Sequence, residues 1–405
     1  MGNNRMSKIE PAKIYQAAEN YRDYSAKALS ELVKIPSLSG DEEKLIRFLE
    51  KEFKNNGASE ITVDKFGNIL AKIGNGKPVI AYDAHIDTVD IGQKELWNFE
   101  PFSGDIRDGK VWGRGASDQK GGMASMLTAV KILSDLEIEL PFTLYFVGSV
   151  LEEDCDGLCW QYIIKEDKLN PDLVILTEPT AGNIYRGHRG RMEIEIVAKG
   201  VSCHGSAPER GENAIYKLAP IIAAVEKLNE RLACDSFLGK GTLAASRVRS
   251  NSPSLCAVAD MAALYIDRRL TAGETPQSAV KELESLPEVK SANAKVVIPD
   301  YDHPSWRGTR YPVPKTYPTW ALDEKHKFVI AADKTYRELF NVKPVIDKWT
   351  FSTNGVATMG MFNIPTIGFG PGQEKLAHAP NEYCAIDDLV RCAAFYAAYP
   401  WIAIA

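Results

Sequence analysis

Glu152 and Glu153 are adjacent in VLEEDCDG, directly after the mostly apolar run FTLYFVGSVL. Two neighbouring carboxylates repel each other unless a cation or a proton lies between them. Comparable residues close other apolar runs. VIAYDAHIDTVD sets His85 and Asp87 just after a strand-like segment, GRGASDQKGG sets Asp118 before a glycine pair, DLVILTEPT sets Glu178 after another run, and KLAHAPNEY sets His378 near the C-terminus. Two imidazoles and several carboxylates, with no cysteine at the same strand ends, suit zinc and its close relatives. One carboxylate between two ions would hold them about 3.5–4 Å apart. Taken singly, a histidine after a strand reads as a hydrogen-bonded loop residue and a glutamate pair as a solvated surface feature. Their recurrence in matching contexts makes ligation the better reading.

Such residues converge only if strands bring them together. VIAY (79–82), FTLYFV (142–147), DLVIL (172–176) and IPTIGF (364–369) are too short for helices and are predicted to be buried strands. GGMASMLTAVKILSDL (121–136) is a predicted helix that packs on them, and a further helix is predicted over 323–339. Ser39 with Glu42 forms a capping-box pattern, and Leu45, Phe48, Leu49 and Phe53 recur at helical spacing, which predicts an amphipathic helix over 41–55. In open α/β sheets the carboxyl ends of the strands form the usual ligand crevice.

From residue 191 the texture changes. MEIEIVAKG and MAALYIDRRL alternate with period two, as half-exposed antiparallel strands do, and NAIYKLAPIIAAVEKLNERL between them is a predicted helix. PDYDHPSWRGTRYPVPKTYPTW reads as a linker leading out of this unit. The chain is therefore read as α/β. A catalytic domain with a mixed, mostly parallel sheet flanked by helices (1–190 and 316–405) is interrupted by a smaller α+β, ferredoxin-like domain (191–315).

Composition narrows the partners. The 405 residues are 45% hydrophobic and carry a formal net charge of −6, with scattered Lys and Arg, so neither nucleic acid nor an acidic membrane is an expected partner. MGNNRMSKIEPAKIYQ lacks the apolar core of a signal peptide and no run approaches a membrane span, so a cytoplasmic protein is expected. Seven cysteines, an odd number spread over the chain, suit reduced thiols. Cys155 and Cys159 have no second cysteine pair to complete a structural zinc site.

HIDTV, GRGASDQKGG, EEDCDG, TEPT, CHGSAP, IDRRLTAGET and HAPNEY run in order from residue 85 to residue 383. This set resembles the family of two-zinc amidohydrolases that includes acetylornithine deacetylase, succinyl-diaminopimelate desuccinylase, carboxypeptidase G and aminoacylase. The resemblance implies two divalent ions, Zn2+ foremost, with Co2+ or Mn2+ as alternatives. Asp118 would bridge them, His85 and Glu178 completing one site and Glu153 and His378 the other. Glu152 would be the general base that takes a proton from the metal-bridging water, and Asp87 would orient His85. A cis peptide is expected after Asp118. His204 would reach across a dimer interface to stabilise the oxyanion, Arg269 would bind a substrate carboxylate, and the loops carrying Asn354, Gly355 and Gly370 would line the substrate pocket. The inserted domain would then serve as lid and homodimer interface. His188, His303 and His326 receive no role.

The implied activity is hydrolysis of the amide bond of a small N-acyl amino acid or dipeptide with a free carboxylate. A dipeptidase or carboxypeptidase stands as the alternative to a deacylase, and a non-catalytic metal-dependent binding protein as a third reading, which the presence of Glu152 weighs against. One departure bears on recognition. Cys256 and Ala259, in SLCAVAD, stand where relatives commonly carry asparagine and proline, and this segment resembles most the YgeY-type subgroup.

Overall fold

The computed structural model describes residues 10–137 and 139–404; the first nine residues, on which part of the N-terminal reading rests, lie outside the described residues. Thr143–Ser149, Val79–His85, Leu173–Leu176 and Thr366–Gly368 run parallel, in that spatial order, through the middle of a nine-stranded sheet. Ile69–Ile73 and then Glu60–Val63 extend one side antiparallel. Ile184–His188 extends the other, paired with Trp320–Ala321 and with Ile346–Trp349.

The central strands lack alternation because both faces are covered. Leu173–Leu176 is buried throughout. Along Val79–His85, Ile80, Tyr82 and Ala84 join the larger core with Leu45, Leu49, Met126, Leu127 and Phe395 from the flanking helices. Ala81 packs on the opposite face with Trp160, Ile163 and Trp349. The helix Gly121–Asp135 lies hard against the sheet: a Cβ on Gly122 would sit 2.1 Å from Thr177 Oγ1.

A second sheet has its own core. Gly190–Lys199, the helix Ala214–Glu230, Thr242–Asn251, Met261–Leu270, the helix Pro276–Ser285 and Lys295–Val297 follow one another as β-α-β-β-α-β. Their spatial order is Thr242–Asn251, Met261–Leu270, Gly190–Lys199, Lys295–Val297, antiparallel throughout, which is the ferredoxin-like arrangement. Met192, Ile194, Ile196 and Ala198 are buried while the residues between them are half-buried, so the period-two pattern in the sequence is the pleat of this strand. Thr242–Asn251 forms an edge, exposed from Ala244 onward.

Two local expectations change. The linker contains short strands, and Thr316–Tyr317 pairs with Met192 and Arg191, so the second sheet draws a strand from beyond residue 315. The capping box does not form. The helix begins at Glu43 without a side-chain cap; Ser39 Oγ donates to Asp87 Oδ2 at 2.7 Å, and Glu42 Oε1 accepts from the N–H of Gly40 (3.0 Å) and of Leu151 (3.1 Å). Tertiary acceptors and donors outcompete the local pattern. No helix among the described residues is long and apolar enough to cross a membrane.

Candidate active site and metal centre

His85 ends the strand Val79–His85; Glu152 and Glu153 follow Thr143–Ser149, and Glu178 follows Leu173–Leu176, so parallel pairing delivers all four to one edge of the sheet. Asp118 arrives from the kinked segment Ala116–Lys120, and its peptide bond to Gln119 is cis. Glu382, which sequence reasoning left without a role although it lies in HAPNEY, holds this segment. Its Oε1 accepts from Ser117 N–H (2.7 Å) and Asp118 N–H (2.9 Å), and its Oε2 from Gly115 N–H (2.9 Å) and the Arg114 guanidinium (2.8 Å).

The groups form two triads with Asp118 in common. His85, Asp118 and Glu178 present ligand atoms within 4.8 Å of one another, as do Asp118, Glu153 and His378. The first triad is buried; in the second, His378 is exposed. His85 Nε2 lies 3.0 Å from Asp118 Oδ1, 3.6 Å from Glu178 Oε1 and 3.9 Å from Glu152 Oε2. His378 Nε2 lies 2.8 Å from Glu153 Oε2 and 3.5 Å from Asp118 Oδ2. His85 Nδ1 is 3.0 Å from the backbone carbonyl of Asp87, closer than the 3.6 Å to its carboxylate. Donation to that carbonyl leaves the Nε2 lone pair facing the acids, the tautomer a metal needs. The Asp87 carboxylate instead accepts the N–H groups of Glu152 (3.2 Å) and Glu153 (3.1 Å).

Burial pushes Glu152 and Glu178 well above the usual carboxylate range; His85 opposes both, while the charge of Glu178 adds to the rise of Glu152 and that of Asp118 to the rise of Glu178. Burial and the charge of Asp118 raise Glu153. Asp118, although buried, falls below its ordinary value because His85 hydrogen-bonds its charged form. Glu152 Oε1 and Glu178 Oε2 are buried with no hydrogen-bond partner. Mutually repelling buried carboxylates with unpartnered oxygens, beside two imidazoles, are a donor set that divalent cations would satisfy, so the residues fit the implied metals.

His204 and Arg269, from the inserted domain, belong to neither triad. His204 is exposed; its Nδ1 accepts from Ser206 N–H (3.1 Å) and faces Ser206 Oγ (2.7 Å), which leaves Nε2–H free to donate. It lines an open recess of about 610 Å3 with Tyr216, Leu255 and Cys256, and no residue of the two triads lines that recess. The Arg269 guanidinium forks onto Asp267 at 2.8 and 3.1 Å. Arg189, not singled out in the sequence, is its neighbour: burial and then the charge of Arg269 pull Arg189 below its ordinary value.

Asn354 is buried with both ends of its amide engaged: Nδ2 donates to Asp83 Oδ2 (2.9 Å) and Ser149 Oγ (3.1 Å), and Oδ1 accepts from Gly157 N–H (2.8 Å). These bonds tie the ends of the strands Val79–His85 and Thr143–Ser149 to the loop that carries it. Gly355 packs on Trp320, and a Cβ on Gly370 would meet the carbonyl of Glu178 at 2.2 Å, so Gly370 abuts the ligand-bearing loop. His188 is buried: its Nε2 accepts from Trp320 Nε1–H (2.7 Å) and Thr353 N–H (3.1 Å), which braces the loop that carries Asn354.

The chain is similar to known proteins over nearly its whole length. It is 51% identical over 401 residues to YgeY, an uncharacterized protein of Escherichia coli (strain K12), covering 98% of this chain and 100% of that one. It is 25% identical to a probable succinyl-diaminopimelate desuccinylase of Staphylococcus aureus (strain Mu50), covering 88% of this chain and 93% of the relative. The fold matches that of the Bacillus subtilis YXEP protein, described as a dinuclear metal-binding peptidase, with a TM-score of 0.70 at 17% identity over 95% of this chain and 98% of that one. The model of Peptidase family M20/M25/M40 matches residues 81–401, a span that contains both triads and Glu152, and the chain belongs to this family of metal-dependent hydrolases.

Proposed function

We propose that the protein uses two divalent metal ions, Zn2+ foremost, to hydrolyse the amide bond of a small N-acyl amino acid or dipeptide that carries a free carboxylate. The observation that carries this reading is Asp118 shared between two triads, with the unpartnered Oε1 of Glu152 beside them. When bound, two such ions polarise a carbonyl and lower the pKa of water. Glu152, raised by burial, is suited to take a proton from the attacking water and to hold it on its carboxylate. The hydroxyl oxygen bonds to the carbonyl carbon, the C–N bond breaks, and Glu152 returns the proton to the leaving amine. His85, Glu178, Glu153 and His378, with Asp118 common to both sets, would hold the metals, and Glu382 fixes the Asp118 segment.

The second sheet completes the site in this reading. Arg269 binds the substrate carboxylate on exchanging it for Asp267. His204 lines a recess apart from its own chain's triads, which supports its donating from Nε2 into the site of a second copy. The exposed strand edge Thr242–Asn251 offers unpaired backbone, and the exposed Leu255, Tyr216 and Val248 supply apolar side chains, for such a homodimer. Free cysteines suit a reducing compartment, in keeping with a cytoplasmic site of action.

A panel of dipeptides against N-acetyl, N-succinyl and N-carbamoyl amino acids, run on zinc-, cobalt- and manganese-loaded protein, tests the proposal. Turnover confined to acylated amino acids selects a deacylase, and turnover confined to dipeptides selects a dipeptidase. No turnover across the panel with both metal positions filled sinks the enzymatic reading in favour of metal-dependent binding.

A further inference from the structure

Where the strand Thr143–Ser149 ends, the next backbone N–H groups pass from the sheet to side chains. Val150 donates to Asn68 Oδ1 (3.1 Å), Leu151 to Glu42 Oε1 (3.1 Å), Glu152 to Asp87 Oδ1 (3.2 Å) and Glu153 to Asp87 Oδ2 (3.1 Å). These acceptors come from separate segments of the chain and cradle one turn. Within it Leu151 has φ +59°, a left-handed conformation that residues with a Cβ rarely adopt. Beyond this bend the adjacent glutamates diverge: Glu152 turns to within 3.9 Å of His85, and Glu153 reaches His378 at 2.8 Å.

We propose that Glu42 is a positioning residue for the general base, its carboxylate holding Leu151 in the conformation that sends Glu152 and Glu153 to opposite triads. This rests on the roles assigned above to those two glutamates. Glu42 is wholly buried, forms no ion pair among the described residues, and leaves Oε2 without a partner. Burial and the charge of Asp87 push it up to about 8, so its ionised form is unfavourable here. What an apolar residue of the same size could not supply is the acceptor for the N–H groups of Leu151 and Gly40.

The test compares Glu42→Met, which keeps the volume and removes the acceptor, with Glu42→Gln, which keeps an oxygen there. Amide hydrogen exchange is followed on the full chain, metal-free and zinc-loaded, and kcat and KM are measured on whichever substrate the panel yields. Glu42→Met is expected to speed exchange at residues 150–153 by tenfold or more while 79–85 stay as in the wild type. It should lower kcat roughly 10–100-fold with KM little changed, as a displaced base does. Glu42→Gln should restore both. Should Glu42→Met fail to fold, Glu42→Asp, whose carboxylate ends one carbon short, carries the same expectations. Unchanged exchange at 150–153 overturns the proposal whether or not a substrate is known, and faster exchange with unchanged kcat overturns it equally. A wild type with no turnover counts against the hydrolase reading, and the exchange result still decides whether Glu42 holds the turn.

Discussion

Glu382 accepts the backbone N–H of Asp118 at 2.9 Å, so the residue common to both triads is held by an acid that is itself neutralised by Arg114 at 2.8 Å. Glu382→Ala removes every acceptor in this clasp and leaves Arg114 buried and unpaired. The variant should lose about 3 kcal/mol of stability. Zinc affinity should fall roughly 10–100-fold. Thermal denaturation and competition against a zinc chelator measure the two effects, and a variant with wild-type affinity would mean that Asp118 holds its place unaided.

Glu152 and Glu153 are distinguished by metal content. Glu152→Gln should keep both metals while turnover drops roughly 10²–10⁴-fold. Glu153→Gln should weaken the exposed triad and leave the buried one filled. Elemental analysis of the purified variants checks this. Metal loss in Glu152→Gln with full content in Glu153→Gln would mean that their roles are exchanged, and equal content in the two would mean that Glu153 is not a ligand.

His188 should make stability depend on pH. Burial pushes it down to about 4 from an ordinary 6.5, so as pH falls the unfolded chain takes up this proton before the folded one does. The stability it permits is present above pH 6.5 and is lost as pH falls towards 4, by about 3 kcal/mol in all. Urea denaturation between pH 7 and 4 should show a shallower decline in His188→Gln than in the wild type. Parallel curves would show that His188 does not titrate in this window.

The strands that carry the site were legible in the sequence because burial on both faces leaves short uninterrupted apolar runs, and His85, Glu153 and Glu178 stand where three of those runs stop. The second sheet was legible for the complementary reason: one covered face gives MEIEIVAKG its alternation. Long-range competition was not legible. Ser39 and Glu42 have the spacing of a capping box, but their partners are Asp87 and Leu151, the latter 109 positions away. The bracing role of His188 went unread in the same way, as did the buried bonds of Asn354 to Asp83 and Ser149, since nothing local shows that an imidazole or an amide is spent on distant partners.

Complementation tests the reading of His204. In a homodimer with crossed sites, mixing inactive Glu152→Gln with inactive His204→Ala should restore activity, because one site of each heterodimer then has an intact base and an intact partner histidine. Native mass spectrometry establishes that the subunits have exchanged. Heterodimers no more active than the separate variants would place His204 within its own chain or outside the chemistry.

Asp118 is the one residue common to the two proposed metal positions. Titrating metal-free protein with Zn2+ and counting tightly bound ions by calorimetry should give two per chain in the wild type. Glu178→Ala and His378→Ala should each retain one tight ion, and Asp118→Ala should retain neither. A wild type that binds a single ion, or an Asp118→Ala variant that binds two, would contradict the two-metal reading.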